Sequence, residues 1–311
     1  MEPKTVSLLG VPMDLGAGLR GVDMGPSALR IAGIGPAIEA LGHRFRDRGS
    51  VQVARPEDRL LPVEERESEG NAHFLPEITD CCRRVRDRVG EILAAGEFPF
   101  VVGGDHSIAA GTVAGVARHY HERGHKIGLI WFDAHADMNS PEISPSGNVH
   151  GMPLAAILGY GPRELGDLGP TTPMVDAKNV VLIGIRDVDE NERRRVREAG
   201  VHAYTMRELD ILGMDRVMRE ALKHATDGTV GFHISFDLDG MDPSEAPGTG
   251  TPVPGGMTLR EAHLFMEHAA ESGQLLSLEM TEINPILDEK NRTAALAVDM
   301  AQSALGKRIL R

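Results

Sequence analysis

The chain has 311 residues, 41% of them hydrophobic and 25% charged, with a formal net charge of -13. Such a length buries a sizeable core without disulfide or zinc staples, and the composition is that of an ordinary globular protein. The acidic balance excludes a nucleic-acid backbone as the main partner, because phosphate binding calls for clustered Lys and Arg, and it suits a cationic substrate.

Taken in chain order, Thr5 to Leu9 reads as a first strand. Ser27 to Leu41 reads as helix, entered through Gly25-Pro26 and open to a break at Pro36. Arg55 to Asn71, rich in Glu and Arg, reads as a solvated loop. Glu77 to Ala95 is a helix carrying Cys81 and Cys82. Neighbouring cysteines would close almost no loop as a disulfide, so buried free thiols in a reducing, cytoplasmic compartment are expected. Phe98 to Val102 is a strand, with a Gly-Gly turn and a helix from about Ser107 after it. Ile127 to Phe132 and Val180 to Ile185 are strands, and a charged helix follows from about Asn191. Val230 to Phe236 and Leu275 to Leu278 are the last strands, with helices over Leu259 to Ser272 and Arg292 to Leu305. No signal peptide and no membrane span is expected.

Strand, loop and helix in repetition mark an α/β protein with a parallel sheet, and the nearly continuous apolar strands imply helices on both faces. No linker divides the chain, so one domain over residues 1–311 is expected. With aromatic residues at only 4%, aliphatic side chains are expected to build the core.

Strand ends carry the chemistry. Asp105 and His106 follow one, and Asp133, His135 and Asp137 follow another. Asp187 and Asp189 follow a third, Asp237, Asp239 and Asp242 a fourth, and Glu282 the last. In a parallel sheet these ends share one edge, where open α/β folds place their ligand sites. Carboxylates crowded there raise one another's pKa and destabilise the fold unless cations neutralise them. In an extended segment Asp133, His135 and Asp137 would project to one side, as would Asp237 and Asp239. With His106 they make two imidazoles and four carboxylates, too many for one first-row metal and suited to two. Oxygen-rich ligation without thiolates favours Mn²⁺ over zinc. Most other histidines, His43, His119, His121, His125, His224 and His268 among them, are expected on solvated surfaces. Gly103 to His106 also reads as a turn before a helix, with Asp105 as its cap.

Gly103-Gly104-Asp105-His106-Ser107, Asp133-Ala134-His135-Ala136-Asp137 and Ser235-Phe236-Asp237-Leu238-Asp239-Gly240-Met241-Asp242-Pro243 resemble the motifs of the ureohydrolase superfamily. Ser146-Gly147-Asn148-Val149-His150-Gly151 is similar to the substrate loop of the arginases within it, and Gly16 to Met24 is similar to their N-terminal loop. The resemblance covers nearly the whole chain. It implies a three-layer α-β-α fold around a mainly parallel sheet of about eight strands. It also implies hydrolysis of L-arginine to L-ornithine and urea by a hydroxide bridging two Mn²⁺ per chain. One metal's ligands would be His106, Asp133, Asp137 and Asp237, and the other's Asp133, His135, Asp237 and Asp239. Asn139, Ser146 and Asn148 would hold the α-carboxylate. Asp189 would hold the α-ammonium together with Glu192, the latter directly or through water. Thr251 would face Glu282, which pairs with the guanidinium. Asp137 would pass a proton to the leaving amine, and His150, with a pKa near neutrality, would exchange it with solvent. The assembly implied is a homotrimer or homohexamer, with the segment from Arg292 near an interface. Ala136 departs from arginases with Thr there, at a position that binds no metal. Rival readings are a ureohydrolase of agmatine, guanidinobutyrate or formiminoglutamate, an inactive metal-holding relative, and a one-zinc deacetylase of similar fold.

Overall fold

The computed structural model describes residues 2–55 and 71–310, so nearly all of the polar stretch expected as a loop, residues 56–70, lies outside the described residues. Eight strands form one sheet: β1 (Thr5–Val11), β2 (Arg44–Ser50), β3 (Phe98–Gly103), β4 (Gly128–Phe132), β5 (Val180–Ile185), β6 (His202–Thr205), β7 (Phe232–Asp237) and β8 (Leu275–Thr281). Their order is β2-β1-β3-β8-β7-β4-β5-β6, and every neighbouring pair is parallel. β2 and β6 were not expected from the sequence. Both are edge strands, and β2, with the sequence RFRDRGS, has no buried residue, so neither carries the apolar run that marks the central strands.

Alternation along each strand divides the interior into two cores. Phe100, Val102, Ile130, Phe132, Ile183, Ile234, Phe236 and Met280 enter the first. It is closed by α1 (Gly25–Ile31), α2 (Ile34–Glu39), α8 (Met206–Leu212), α9 (Met214–Ala225), α10 (Leu259–Ser272) and α11 (Arg292–Ala304). Val101, Leu129, Trp131 and Leu182 enter the second, closed by α3 (Leu75–Ala94), α4 (Ala109–His121), α5 (Pro153–Leu158), α6 (Arg163–Gly166) and α7 (Glu190–Ala199). The result is three layers, α-β-α. Aliphatic side chains make up most of both cores, as expected, and Trp131, Phe132, Phe236 and Phe265 are buried among them. Phe132 stacks on Phe236 with ring centroids 3.9 Å apart, and Phe265 meets Phe132 edge-on.

The expected helix over Ser27 to Leu41 is broken, but at Gly33 (φ 88°) rather than at Pro36. Pro36 falls in the first turn of α2, where its missing N–H leaves no helical bond unmade. His43 is a correction to the expected surface histidines, being buried. Its Nδ1 accepts from the Lys4 backbone N–H at 3.1 Å, and its Nε2 lies 2.9 Å from the Leu305 carbonyl, tying the two ends of the chain together. Cys81 and Cys82 are free and buried as expected, and burial pushes the Cys81 thiol up to about 12.

This topology makes the site. The chain leaves β3 and returns as β4 on the far side of β8 and β7, so the loops after β3 and β4 flank the ends of those two central strands. Between α3 and α4 the packing is close: a Cβ at Gly111 would lie 2.5 Å from the Cys82 carbonyl oxygen. Gly111→Val should therefore destabilise the protein by about 2 kcal/mol, read as a lowered urea midpoint with the slope unchanged.

Candidate metal centre

Each strand end places its side chain by spending one carboxylate oxygen on a nearby backbone N–H. After β3, Asp105 caps the short helix His106–Ile108 through Ser107 N (3.0 Å), while its other oxygen accepts from Gly16 N (2.8 Å). The cap reading of the sequence holds. Gly104 is required, since a Cβ would fall 2.1 Å from the Met13 carbonyl oxygen. His106 is thereby turned inward, stacked on Trp131 (centroids 4.2 Å apart), with Nε2 2.8 Å from Ser235 Oγ. Its Nδ1 lies 3.0 Å from Asp237 and 3.1 Å from both Asp133 and Asp137, without a hydrogen-bond partner.

After β4 the chain bends at once instead of staying extended, and Asp137 sits in the left-handed region at φ 50°. The expectation of same-side projection from a straight segment is thus corrected, although all three side chains still converge. Asp133 Oδ1 accepts from His135 N (2.7 Å) and Oδ2 from Trp131 Nε1 (2.9 Å). After β7, Asp237 accepts from Asp239 N (2.7 Å) as the chain enters another single turn. His135 Nδ1 lies 3.1 Å from Asp239. After β8, Glu282 (φ 64°) accepts at Oε1 from His106 N, and the same oxygen lies 3.0 Å from His150 Nδ1. Its Oε2 is buried without a partner. Asp189 caps α7 through Glu192 N (3.0 Å) and accepts from Asn139 Nδ2 (3.0 Å). Glu192 in turn accepts from Met138 N (2.9 Å).

Among the described residues, ligand atoms of His106, Asp133 and Asp137 lie within 4.8 Å of one another, and so do those of Asp133, His135 and Asp239. Asp133 belongs to both groups and Asp237 faces the first, so the donor set fits two cations sharing a carboxylate. The charges call for them. Burial raises the Asp237 carboxyl well above its usual range, with Asp239 and Asp133 adding to the effect. Burial and then Asp133 carry Asp137 to about 6. Burial lowers the basicity of His135, but Asp239 and Asp133 outweigh it and push the imidazole up to about 12. These groups stabilise whatever positive charge is offered, whether protons or cations.

A cavity of about 100 Å³ opens on the site, and its lining holds nine of the residues expected from the sequence: His106, His135, Asp137, Asp237 and Asp239 on the metal side, and Asn139, His150, Glu192 and Thr251 on the other. Asp133 and Glu282, buried behind it, and Ser146, Asn148 and Asp189 are not on that lining. Ser146 is exposed, with its Oγ accepting from Asn148 N (3.2 Å). Thr251 does not turn its hydroxyl to Glu282 as expected. It donates to Asp239 (2.8 Å) instead. Two strand-end acids stand apart: Asp187 is exposed, and Asp242 holds the backbone N–H groups of Ser244, Gly255 and Gly256. His150 is not near neutrality. Burial lowers its pKa, but Glu282 more than reverses this and carries it to about 9. Burial raises Glu192 to about 8.

The sequence reading missed two supporting residues. Trp131 both stacks on His106 and holds Asp133. Arg186 donates to the carbonyls of Gly184, Asp239, Gly240, Met241 and Val253, clasping the loop that carries Asp239 to the one that carries Thr251. The single tryptophan beside an acidic motif was a legible signal. For Arg186 there was none.

Residues 4–306 match the sequence profile of the Arginase family. The arginase of Brevibacillus brevis is 49% identical over 307 residues, covering 99% of both chains. The solved structure of the arginase from Bacillus caldovelox superposes with a TM-score of 0.92 at 46% identity, covering 99% of this chain and 100% of that one. The Entamoeba histolytica arginase, solved in complex with L-ornithine, superposes at 0.88 with 31% identity over 99% of this chain and 100% of its own.

Asp133→Ala removes the carboxylate common to both ligand groups. Metal analysis after dialysis should then find fewer than one ion per chain, whereas Asp137→Ala should retain about one.

Proposed function

The chain belongs to the arginase family, and we propose that it hydrolyses L-arginine to L-ornithine and urea at a site holding two Mn²⁺. The observation that carries this reading is the sharing of Asp133 by two ligand groups beside a cavity lined by His150, whose Nδ1 lies 3.0 Å from Glu282. We assign His106, Asp133, Asp137 and Asp237 to one ion, and Asp133, His135, Asp237 and Asp239 to the other. Oxygen-rich, thiolate-free ligation supports manganese. Bound there, two divalent cations make a water molecule nucleophilic near neutral pH.

The chain's own groups do the rest. Glu282 has one oxygen engaged by His106 and His150 and the other unpartnered, and that free oxygen is our acceptor for the guanidinium, whose planar fork it orients. Asp137 takes up a proton from the attacking water and gives it to the leaving amine, without which the bond to carbon would not break. His150, protonated at neutral pH with a pKa of about 9, supplies and recovers protons from solvent. For the α-ammonium we assign Asp189 and Glu192. For the α-carboxylate we assign Asn139, Ser146 and Asn148. The Ser146 hydroxyl accepts from Asn148 N, so its own proton is available to a carboxylate. Thr251 supports the site by holding Asp239. A homotrimer or homohexamer, implied by the resemblance, and a cytoplasmic location, supported by the free buried thiols of Cys81 and Cys82, complete the proposal. No described helix is long and apolar enough to cross a membrane.

Urea release after loading with Mn²⁺ tests the substrate, with L-arginine and agmatine offered separately. Arginine alone should be turned over. Agmatine alone would keep the metal site and overturn the assignment of Asn139, Ser146 and Asn148. His150→Asn should retain both ions and the fold yet lower kcat roughly a hundredfold. A group whose pKa is raised by its partner is protonated below that pKa. The unsubstituted protein should therefore lose rate as pH rises through about 9, and the variant should lack that limb. Equal rates at every pH would remove His150 from proton transfer.

A further inference from the structure

Behind the metal ligands lies a buried acid with no place in the reading above. Along β7 and β8, Phe232, Ile234, Phe236, Leu278 and Met280 enter the first core. Alternating with them are His233, Ser235, Ser277 and Glu279, all four fully buried. Putting a carboxylate in such a place is costly unless its lone pairs are used. Glu279 Oε1 accepts from Ser235 Oγ at 2.8 Å, and Oε2 accepts from Thr112 Oγ1 on α4. Burial raises the Glu279 carboxyl above its usual range, and His106, Thr112 and Ser235 act against this, with no lysine or arginine among them.

Ser235 Oγ is also 2.8 Å from His106 Nε2. A hydroxyl has a single proton, and an ionised carboxylate has none to give. If Ser235 gives its proton to Glu279, it can only accept from His106, so the imidazole proton must sit on Nε2. That leaves Nδ1 as the bare nitrogen, the atom that faces Asp133, Asp137 and Asp237 and has no hydrogen-bond partner. The chain carboxylate–hydroxyl–imidazole thus has a direction, and the direction is written by Glu279. Were a leucine at this position, Ser235 could donate to Nε2 and allow the tautomer with its proton on Nδ1, which cannot ligate a cation.

We propose that Glu279 is a positioning residue of the cation site, acting through Ser235 to hold His106 in the Nε2–H tautomer and the orientation that present Nδ1 as a ligand. The inference rests on the two-cation reading above. Hydrogen bonds of this kind to metal-bound histidines raise ligand basicity, and their loss weakens metal affinity roughly 10- to 100-fold.

The test is equilibrium Mn²⁺ binding at fixed pH, alongside urea denaturation of the metal-free protein, for the parent, Glu279→Gln, Glu279→Leu, Ser235→Ala and the Ser235→Ala/Glu279→Gln pair. In Glu279→Gln, which keeps shape and an acceptor oxygen, one of the two binding steps should weaken roughly tenfold. In Glu279→Leu it should weaken towards a hundredfold, with the other step changed less. The stability of the metal-free protein should be kept or raised in both, because a costly buried charge is gone. The double variant should be no weaker than Ser235→Ala alone, since the effect of Glu279 passes through that hydroxyl. If Glu279→Leu does not fold, Glu279→Gln carries the test. Two ions bound with parental affinity by the variants would overturn the proposal. So would a loss of metal-free stability with affinity unchanged, which is what a merely structural acid would give. A parent that binds fewer than two ions would overturn the two-cation reading itself, and would do so before any substitution is made.

Discussion

Like charge gathered in a dry place is the constraint on which this structure depends. Asp133, Asp137, Asp237, Asp239 and Glu282 are each 5% exposed or less, and they converge on one edge of the sheet with His106 and His135 between them. In water such a set would spread apart. Here the strands that carry them are locked in register by five parallel neighbours, β3, β8, β7, β4 and β5. The two apolar cores supply the stability that lets the edge keep a mutually repulsive set of groups. Fold and site therefore pull against each other, and cations reconcile them.

The local chemistry shows how the repulsive set is kept ordered. Asp105, Asp133, Asp189 and Asp237 each give an oxygen to a backbone N–H two or three residues on. That bond fixes the rotamer and the turn together, and it leaves the second oxygen pointed at something else: Gly16, Trp131, Asn139 or the site. Where no such bond is available, the backbone itself bears the strain. Asp137 and Glu282, the two acids assigned to proton transfer and guanidinium binding, are both non-glycine residues at positive φ, a conformation that persists only where the surroundings impose it. Asp105 and Gly16 extend the order outward. Gly16 N is held by Asp105 and its carbonyl accepts from His150 N (3.1 Å), so the N-terminal loop positions His150 against Glu282.

Much of this was legible in the sequence because the central strands are rich in apolar residues and end abruptly in acids. Ile130-Trp131-Phe132 before Asp133, and Ile234-Ser235-Phe236 before Asp237, mark the strand and its functional end in the same few residues. The edge strands were hidden for the converse reason. Arg44 to Ser50 packs against one neighbour only, so nothing in its composition separates it from a loop. The ligand set could be read, but not the path that assembles it: alternation suggested straight segments after β4 and β7, whereas bends and single turns bring the side chains together. Nor could spacing reveal contacts across long separations. His43 with Leu305, Arg186 with Val253 and Thr251 with Asp239 each depend on where loops meet after the sheet has formed.

The electrostatics explain why the tail-binding residues were the hardest to place. Metal ligands are constrained by distances of a few ångströms and by burial, so the sheet alone positions them. Ser146 and Asn148 lie on a loop held from Asn139 N to the Gly151 carbonyl, from His73 N to the Gly147 carbonyl and from Asn71 Nδ2 to the Ser144 carbonyl, yet Ser146 itself stays exposed. A carboxylate taken up there, as proposed, would meet a Ser146 hydroxyl that is solvated beforehand, so its capture would cost little dehydration. The guanidinium end is the opposite case. The free Glu282 oxygen, buried and without a partner, would attract the proposed cationic fork more strongly than a solvated acid would. In the proposed reading, the buried end of the site would recognise the substrate's charge, and the end that carries Ser146 and Asn148 would tell one guanidino compound from another.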